Sequence, residues 1–486
     1  MVRKLFIERI IVISLALVLL HFYLTFFGKD RSHDKSKEQK NLFLSQLLID
    51  QSIINTLLLF LIFPIQANAL QPLHNFLQHA TQSNFDNQEA RATAIQREHE
   101  ASQAWARLLP SVTAQADYIG NQYLGQANIP TGAPAVGGTL PIRNVIITPV
   151  DQRDASFSAA LTLIDVAAWD NIGAARANRE AQKARVAATM LEVQKTVAQT
   201  YYQIIGAGAV GRAARRTLAA AQDNARFIET RANAGLALEL DLKRALAEVE
   251  RDRQAIQDAD YTTITLQRSL ETLTGLVPEG DPGNDSTALP MDDLRDEQPL
   301  AEWITVVDSL PSVRAALYDR RAAELTAAAS QSVLYPTVST QASERATNAT
   351  GFGQSPYYTV EALATWKLVD FASFQASRAQ RAAAEVSSVR YDRVRESASQ
   401  TIYDDWHQVH TQIEKSRASR SSLEASRLAL SVAREKYASG KATLLDVVQA
   451  ERDAFSAEVT DIQAEADLAS ARASLRLSSG HSLEAK

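Results

Sequence analysis

The sequence has no cysteine. This excludes disulfides, zinc thiolate sites, iron–sulfur clusters, thiol nucleophiles and a lipid anchor on an N-terminal cysteine. Proline (14) and glycine (18) are scarce for 486 residues, which disfavours a loop-rich globule and favours long regular elements. Basic residues are not in excess: 50 Lys and Arg stand against 56 Asp and Glu, a formal charge of −6. A protein that coats nucleic acid presents a basic face, so that class is disfavoured. What the chain does have is alanine, the strongest helix former, within an ordinary hydrophobic content of 46%.

The first 69 residues read as targeting sequence. Residues 5–27 are largely apolar, with Glu8, Arg9 and His21 as the main exceptions and Arg3 and Lys4 before them. Alone, this is a signal-anchor or one membrane span. A second apolar run, Ile53 to Ile65, ends in Gln66-Ala67-Asn68-Ala69, and its small residues predict signal-peptidase cleavage after Ala69. Lys35, Lys37 and Lys40 supply a basic flank. Two tandem targeting runs point to a start site assigned too far upstream, with residues 1–40 outside the true product. The exported chain would carry 42 basic and 51 acidic residues, a net charge of −9.

An internal duplication organises the rest. Arg231-Ala-Asn-Ala-Gly235-Leu-Ala-Leu-Glu-Leu-Asp241-Leu recurs in outline as Lys436-Tyr-Ala-Ser-Gly440-Lys-Ala-Thr-Leu-Leu-Asp446-Val, 205 residues on. Ile164-Asp165-Val-Ala recurs as Val369-Asp370-Phe-Ala at the same offset. Leu108-Leu109-Pro110 matches Leu334-Tyr335-Pro336 at 226, so the first copy is longer by 21 residues between that proline and the aspartate. A recurring unit of this size is one structural module used twice.

Each unit reads helix, strand, strand, long helix, helix. Residues 87–108 are helical by propensity. After Pro110, Val112, Ala114, Ala116 and Tyr118 alternate with Thr113, Gln115 and Asp117, the period of a strand. Phe157, Ala159, Leu161 and Leu163 form the apolar face of a return strand, and Ala362, Ala364, Trp366 and Leu368 do so in the second copy. At about 9–11 residues, these strands have the length of tilted membrane β-strands. A strand pair lying on a soluble core is the alternative. Residues 121–150, rich in Pro and Gly, predict a long exposed loop.

No proline interrupts 166–233 or 371–439, so each can form one helix of about 100 Å. Second helices follow over 237–276 and 442–479. Phe455, Val459, Ile462, Ala466, Ala469 and Ala473, alternating four and three apart, predict a coiled-coil seam with small residues, and Leu242, Leu246, Val249 and Ile256 behave alike. The expected organisation is a leader (1–69), a first repeat (70–276, strands within 110–165), an acidic Pro/Gly linker (277–300) and a second repeat (301–486, strands within 336–370). The fold class is mainly α with a small β part, four strands per chain.

Two tempting motifs are set aside. Gly206-Ala-Gly208-Ala-Val-Gly211 satisfies G-x-G-x-x-G, but the run before it has helical periodicity and no alternating βα series follows. His407 and His410 with Asp404 share a helical face, yet no third ligand is firmly placed, so no metal site is expected. No nucleophile-elbow pattern supports hydrolase chemistry.

The Leu-Leu-Pro and Leu-Tyr-Pro strand entries, the strand pairs and the two Gly…Asp turns, in this order and duplicated from Leu70 to Gly480, resemble the TolC family of outer-membrane efflux channels. The resemblance implies a homotrimer whose four strands per chain complete a twelve-stranded β-barrel, continued by an α-helical barrel across the periplasm. It also implies an equatorial belt formed by the linker and chain ends. Asp446 matches the first aspartate of the family's acidic aperture ring, and the second ring position is Gln449. Tyr437 and Asp241 match partners in the links that hold the tunnel closed. The arginine completing that network is Ala442 here, with Lys441 beside it. Gly235, Leu236, Gly440 and Lys441 match the helix tips that contact the periplasmic adaptor. The residues alone offer an alternative for Asp446 and Asp241, as helix N-caps.

The expected function is passive export through an outer-membrane duct extending into the periplasm. An inner-membrane pump supplies the energy through a periplasmic adaptor, and outer-membrane lipid surrounds the barrel. Neither enzyme activity nor a cofactor is expected. A non-channel helical surface scaffold or adhesin is the alternative.

Overall fold

Two aspartates 205 residues apart start the two longest helices. Asp165 accepts the Ala168 N–H at 3.0 Å, and Asp370 accepts the N–H groups of Ala372 and Ser373 at 3.1 Å. Each thereby satisfies donors that a helix N-terminus leaves open. The computed structural model describes residues 70–130, 132, 142–235, 238–281 and 294–483, which belong to one unit, Ala69–Lys486. The expected leader with its cleavage position, Leu236, most of the 131–141 loop and linker residues 282–293 lie outside the described residues.

The chain begins with α1 (Leu73–Ser83) and α2 (Phe85–Ala106), then strands β1 (Ser111–Gly120), β2 (Gly125–Pro130), β3 (Ile142–Thr148) and β4 (Asp151–Ile164). The long α3 (Val166–Asn233) and its return helix α4 (Glu239–Thr274) follow. The second half holds α5 (Leu300–Ile304), a 3-10 turn (Val307–Ser309), α6 (Pro311–Ser332), β5 (Thr337–Thr347), β6 (Tyr357–Thr365), α7 (Phe371–Ala438) and α8 (Leu444–Ser478). Both α3 and α7 run for 68 residues. Helix α1 had no counterpart in the sequence reading. Its Leu73, Phe76 and Leu77 are buried against α3.

Helix α8 is a wedge between the halves. Ala469, Ala473 and Leu477 join a core with Phe76, Tyr201 and Leu270, whereas Leu468, Ala471 and Leu475 join Trp303, Val313, Ile402 and Ile413. Small residues let its axis approach both neighbours closely. At Gly206 of α3, an added Cβ would lie 3.0 Å from Ala466 Cβ. The glycine motif therefore sits inside a helix, where it serves packing rather than phosphate binding.

The expected seam is only partly realised. Ala466, Ala469 and Ala473 are buried, while Phe455, Val459 and Ile462 are half-buried. Helices α4 and α8 both lean on α3 and leave between them a groove of about 540 Å³, lined in part by Phe455, Val459, Val210 and Leu266. In α4, Val249 is buried, Leu242 and Ile256 are half-buried, and Leu246 is exposed.

The main sheet is antiparallel in the order β1-β4-β5-β6. Its register pairs Val112 with Ala159, Ala159 with Ala342, and Ala342 with Val360. Residues opposite one another share a face, so Val112, Ala114, Phe157, Ala159, Val360 and Ala362 make one largely apolar surface, on which β5 also places Thr340 and Glu344. Thr113, Gln115, Ser158, Ser343 and Glu361 lie on the polar one. The apolar surface is uncovered: Val112 is 58%, Phe157 56% and Val360 69% exposed. Both β1 and β6 are exposed along their whole length, which is unlike strands lying on a soluble core. Among the described residues, each of these edge strands pairs on one side only. None of the described helices is long and apolar enough to cross a membrane.

Two expectations need correction. Residues 121–150 are not all loop, because β2 and β3 pair as a ribbon, with Ala127 opposite Val145 and Ile129 opposite Arg143. The β-branched residues Val145, Ile146 and Ile147 favour a strand, a signal outweighed in the sequence by the flanking Pro and Gly. The described strands therefore number six, four of them in the main sheet. Strand β6 also ends at Thr365. Trp366 lies beyond it, its indole N–H donating to the Leu334 carbonyl at 3.1 Å, and Leu368 lies beyond it too.

Candidate functional site: the hairpin tips

The α3–α4 and α7–α8 turns lie at the same end of the unit. Ala221, Ala225 and Ile228 of α3, Ala245 and Val249 of α4, and Leu444 and Val448 of α8 form one buried cluster, with Leu242 and Tyr437 packed against it. Each turn is made by a glycine in the left-handed region, Gly235 at φ 73° and Gly440 at φ 74°. At Gly440 the chain reverses through two bonds, the Gly440 N–H to the Tyr437 carbonyl (3.0 Å) and the Lys441 N–H to the Lys436 carbonyl (2.8 Å). This is a Schellman motif, which absorbs carbonyls that the helix end would otherwise leave open.

Asp446 is exposed and sits at the third position of α8, so it is not the N-cap. Thr443 is the cap, and the two residues form a capping box. The Asp446 carboxylate accepts the Thr443 N–H and hydroxyl, both at 2.8 Å. These bonds hold its carboxyl below the usual carboxylate value, so the group stays charged. Asp241 likewise falls at the third position of α4, whose N-cap is Leu238, and pairs with Arg244 at 3.8 Å. Tyr437 packs against the apolar cluster, as Leu242 does. The structure thus brings Asp241, Tyr437, Lys441 and Asp446 to one end but gives them different partners. Gln449 is exposed and donates to Asp453 at 2.9 Å.

About two helical turns from the tips lies a charged seam that the sequence reading did not single out. Arg452 of α8 binds Glu248 of α4 through both Nη2 and Nε, the latter at 3.0 Å. Arg251 also pairs with Glu248 (3.1 Å), and Arg434 of α7 with Glu451 of α8 (2.9 Å). Asp252 of α4 is half-buried beside them. Burial, then the charges of Glu248 and Glu451, push its carboxyl up to about 6. The signal was present in the duplication, since Glu248 and Arg452 are 204 residues apart and occupy nearly equivalent positions in the two hairpins.

His407 and His410 sit among aromatic rings. His407 is tilted against Tyr403 (4.4 Å) and edge-on to Trp406 (4.9 Å), and His410 lies parallel to Trp406 at 6.0 Å. Among the described residues, no group of three His, Cys, Asp or Glu is placed to hold a metal ion.

Residues 76–276 and 307–481 match the family described as outer membrane efflux protein. The chain belongs to that family. Its fold is shared by CusC (17% identity, TM-score 0.71, covering 85% of this chain and 92% of that one). VceC of Vibrio cholerae is similar (15%, TM-score 0.68, 85% and 97%), as is MtrE of Neisseria gonorrhoeae, whose structure is described as its open state (18%, TM-score 0.67, 86% and 90%). There is no significant match among curated proteins. Membership makes this efflux protein an outer-membrane channel component of the TolC type, in a family of channels rather than enzymes.

Proposed function

We propose that three copies of this efflux protein form a passive export duct. In this reading, β6 of one copy pairs with β1 of the next, so that twelve strands close a barrel and no edge remains open. The observation that carries it is the two-faced, open-edged sheet: the apolar surface meets lipid and the polar one lines water. Tyr118 and Tyr358 stand at the apolar face's far end and Trp366 at its helical end, as interfacial aromatic girdles do. The long helices continue the barrel as a tunnel through the periplasm. Residues 1–69 are a leader removed after Ala69, residues 70–276 and 301–486 are the two repeats, and 277–300 joins them at the equator.

The tips form the gate. Asp446 supplies three carboxylates to the constriction and favours cations there. Gln449 leaves the next level uncharged, while Asp241, Tyr437 and Lys441 set how the hairpins meet. Gly235, Leu236, Gly440 and Lys441 receive the adaptor, through which an inner-membrane pump opens the duct. Planar-bilayer conductance of the purified protein in a salt gradient tests this reading. Discrete cation-selective steps are expected. Electrical silence from folded trimers, persisting after the tips are loosened by glycine substitution of Leu444 and Val448, would refute it.

A further inference from the structure

The seam between the two hairpins has unequal occupants. Glu248 is gripped by Arg452 and Arg251, and Glu451 by Arg434. Asp252 is half-buried one helical turn after Glu248 and feels the charges of both carboxylates, and among the described residues no basic side chain is paired with it in the way Arg452 is paired with Glu248. The groups facing it can be named element by element. From its own helix they are Glu248 and Arg251, and from α8 Glu451 and Arg452. From α7, Arg434 reaches this seam and is committed to Glu451. On α3 the residues of the adjoining cluster, Leu218, Ala221 and Ala225, are uncharged. The α3 arginines Arg215 and Arg216 are held by Asp260 and Glu458.

We propose that Asp252 is a proton-operated latch between the hairpins: protonated, it lets α4 and α8 close against each other, and ionised, it drives them apart. The contact rests on few groups at this level, because α4 and α8 lean on α3 more than on each other. The effect of one charge is therefore not lost among many contacts. Its consequence for gating rests on the tips being the closed end of a duct, whereas the latch itself does not.

The sign follows from linkage. A carboxyl that titrates at about 6 in the closed seam and near 3.8 when opened to water favours closure as pH falls through 6. Between pH 8 and pH 5 this amounts to about tenfold per protomer. Solvent at the half-buried site reduces it to a few-fold. At neutral and higher pH the closed seam carries the repulsion.

Because the chain has no cysteine, spin labels can be placed cleanly at Glu239→Cys and Ser439→Cys, both exposed, one on each hairpin tip. The probe is the full-length trimer in detergent, with labelled protomers diluted into unlabelled ones so that distances are intramolecular. Pulsed electron–electron distance measurements from pH 5 to 8 should show the short-distance population constant above about pH 7 and rising a few-fold toward pH 5, with the rise setting in near pH 6. Asp252→Asn should fix the short distance across the range. Glu451→Gln should move the onset downward, because it removes one of the repelling carboxylates. A pH-independent distance in the parent, an unchanged titration in Asp252→Asn, or an upward onset in Glu451→Gln would each overturn the latch. Failure of the duct itself would show instead as absent conductance with the distance titration intact.

Discussion

Gly206 offers the sharpest test of the packing argument, because its sequence context suggests a nucleotide loop and its position suggests contact. In Gly206→Ala the new methyl would sit 3.0 Å from Ala466 Cβ, well inside van der Waals contact, and both atoms are fixed to helix backbones. Overpacking of this kind costs about 1–3 kcal/mol. The gain in helix propensity from glycine to alanine offsets about 1 kcal/mol. The reverse change, Ala466→Gly, loses about 1 kcal/mol of propensity and about 0.8 kcal/mol of buried methyl. In the double variant the methyl merely crosses the interface, so its stability should return close to the parent. The expected coupling is about 2–4 kcal/mol, well above the few tenths seen for independent sites. Far-UV circular dichroism melting of the purified protein reads this as two lowered transitions and one restored. If the two single changes simply add, the close approach of α3 and α8 at this level is wrong.

The cap and pore roles at the tip can be separated. Thr443→Ala should cost about 1 kcal/mol of local stability and leave ion selectivity unchanged, whereas Asp446→Asn should lower the cation preference in reversal-potential measurements. Equal selectivity in both variants would reject the ring. Arg472 is buried and binds Glu297 at 3.0 Å and the Arg295 carbonyl at 2.5 Å. Arg472→Ala should cost about 3 kcal/mol and expose 294–299 to limited proteolysis, while an unchanged cleavage pattern would show that the linker is held elsewhere. Asp370 is kept below the usual carboxylate value, chiefly by the Ser373 hydroxyl and N–H. Its contribution is present above about pH 4 and is lost as pH falls through its folded value. Asp370→Ala should therefore flatten the acid limb of the melting profile, and an unaltered limb would assign the acid sensitivity to other groups. For barrel closure, Ala114→Cys combined in turn with Tyr358→Cys, Val360→Cys or Ala362→Cys should give disulfide-linked trimers on denaturing gels, whereas monomers alone throughout would leave the edges unpaired.

The sequence carried much of this, for a physical reason in each case. Proline-free stretches bounded by Asp165 and Gly235, and again by Asp370 and Gly440, define long helices locally, because caps and left-handed turns depend on residues within one or two turns. Strand alternation around Val112 and Phe157 was equally local. The ribbon at Val145–Ile147 was obscured because its pairing partner is distant and its flanks are turn formers. At the tip, the sequence set Asp446 near a helix start, but its role in a capping box depended on where the helix actually begins.

By itself, then, the sequence determined the duplication, the helical rods, the two-faced strands and the absence of thiol chemistry. Tertiary structure alone decided which surfaces meet. It showed that α8 serves two cores, that Gly206 faces Ala466, and that Glu248, Asp252, Glu451 and Arg452 share one seam. Periodicity records which side of an element is buried, but not against what. The half-burial and mutual repulsion that raise the Asp252 carboxyl exist only once two helices, distant in sequence, lie side by side.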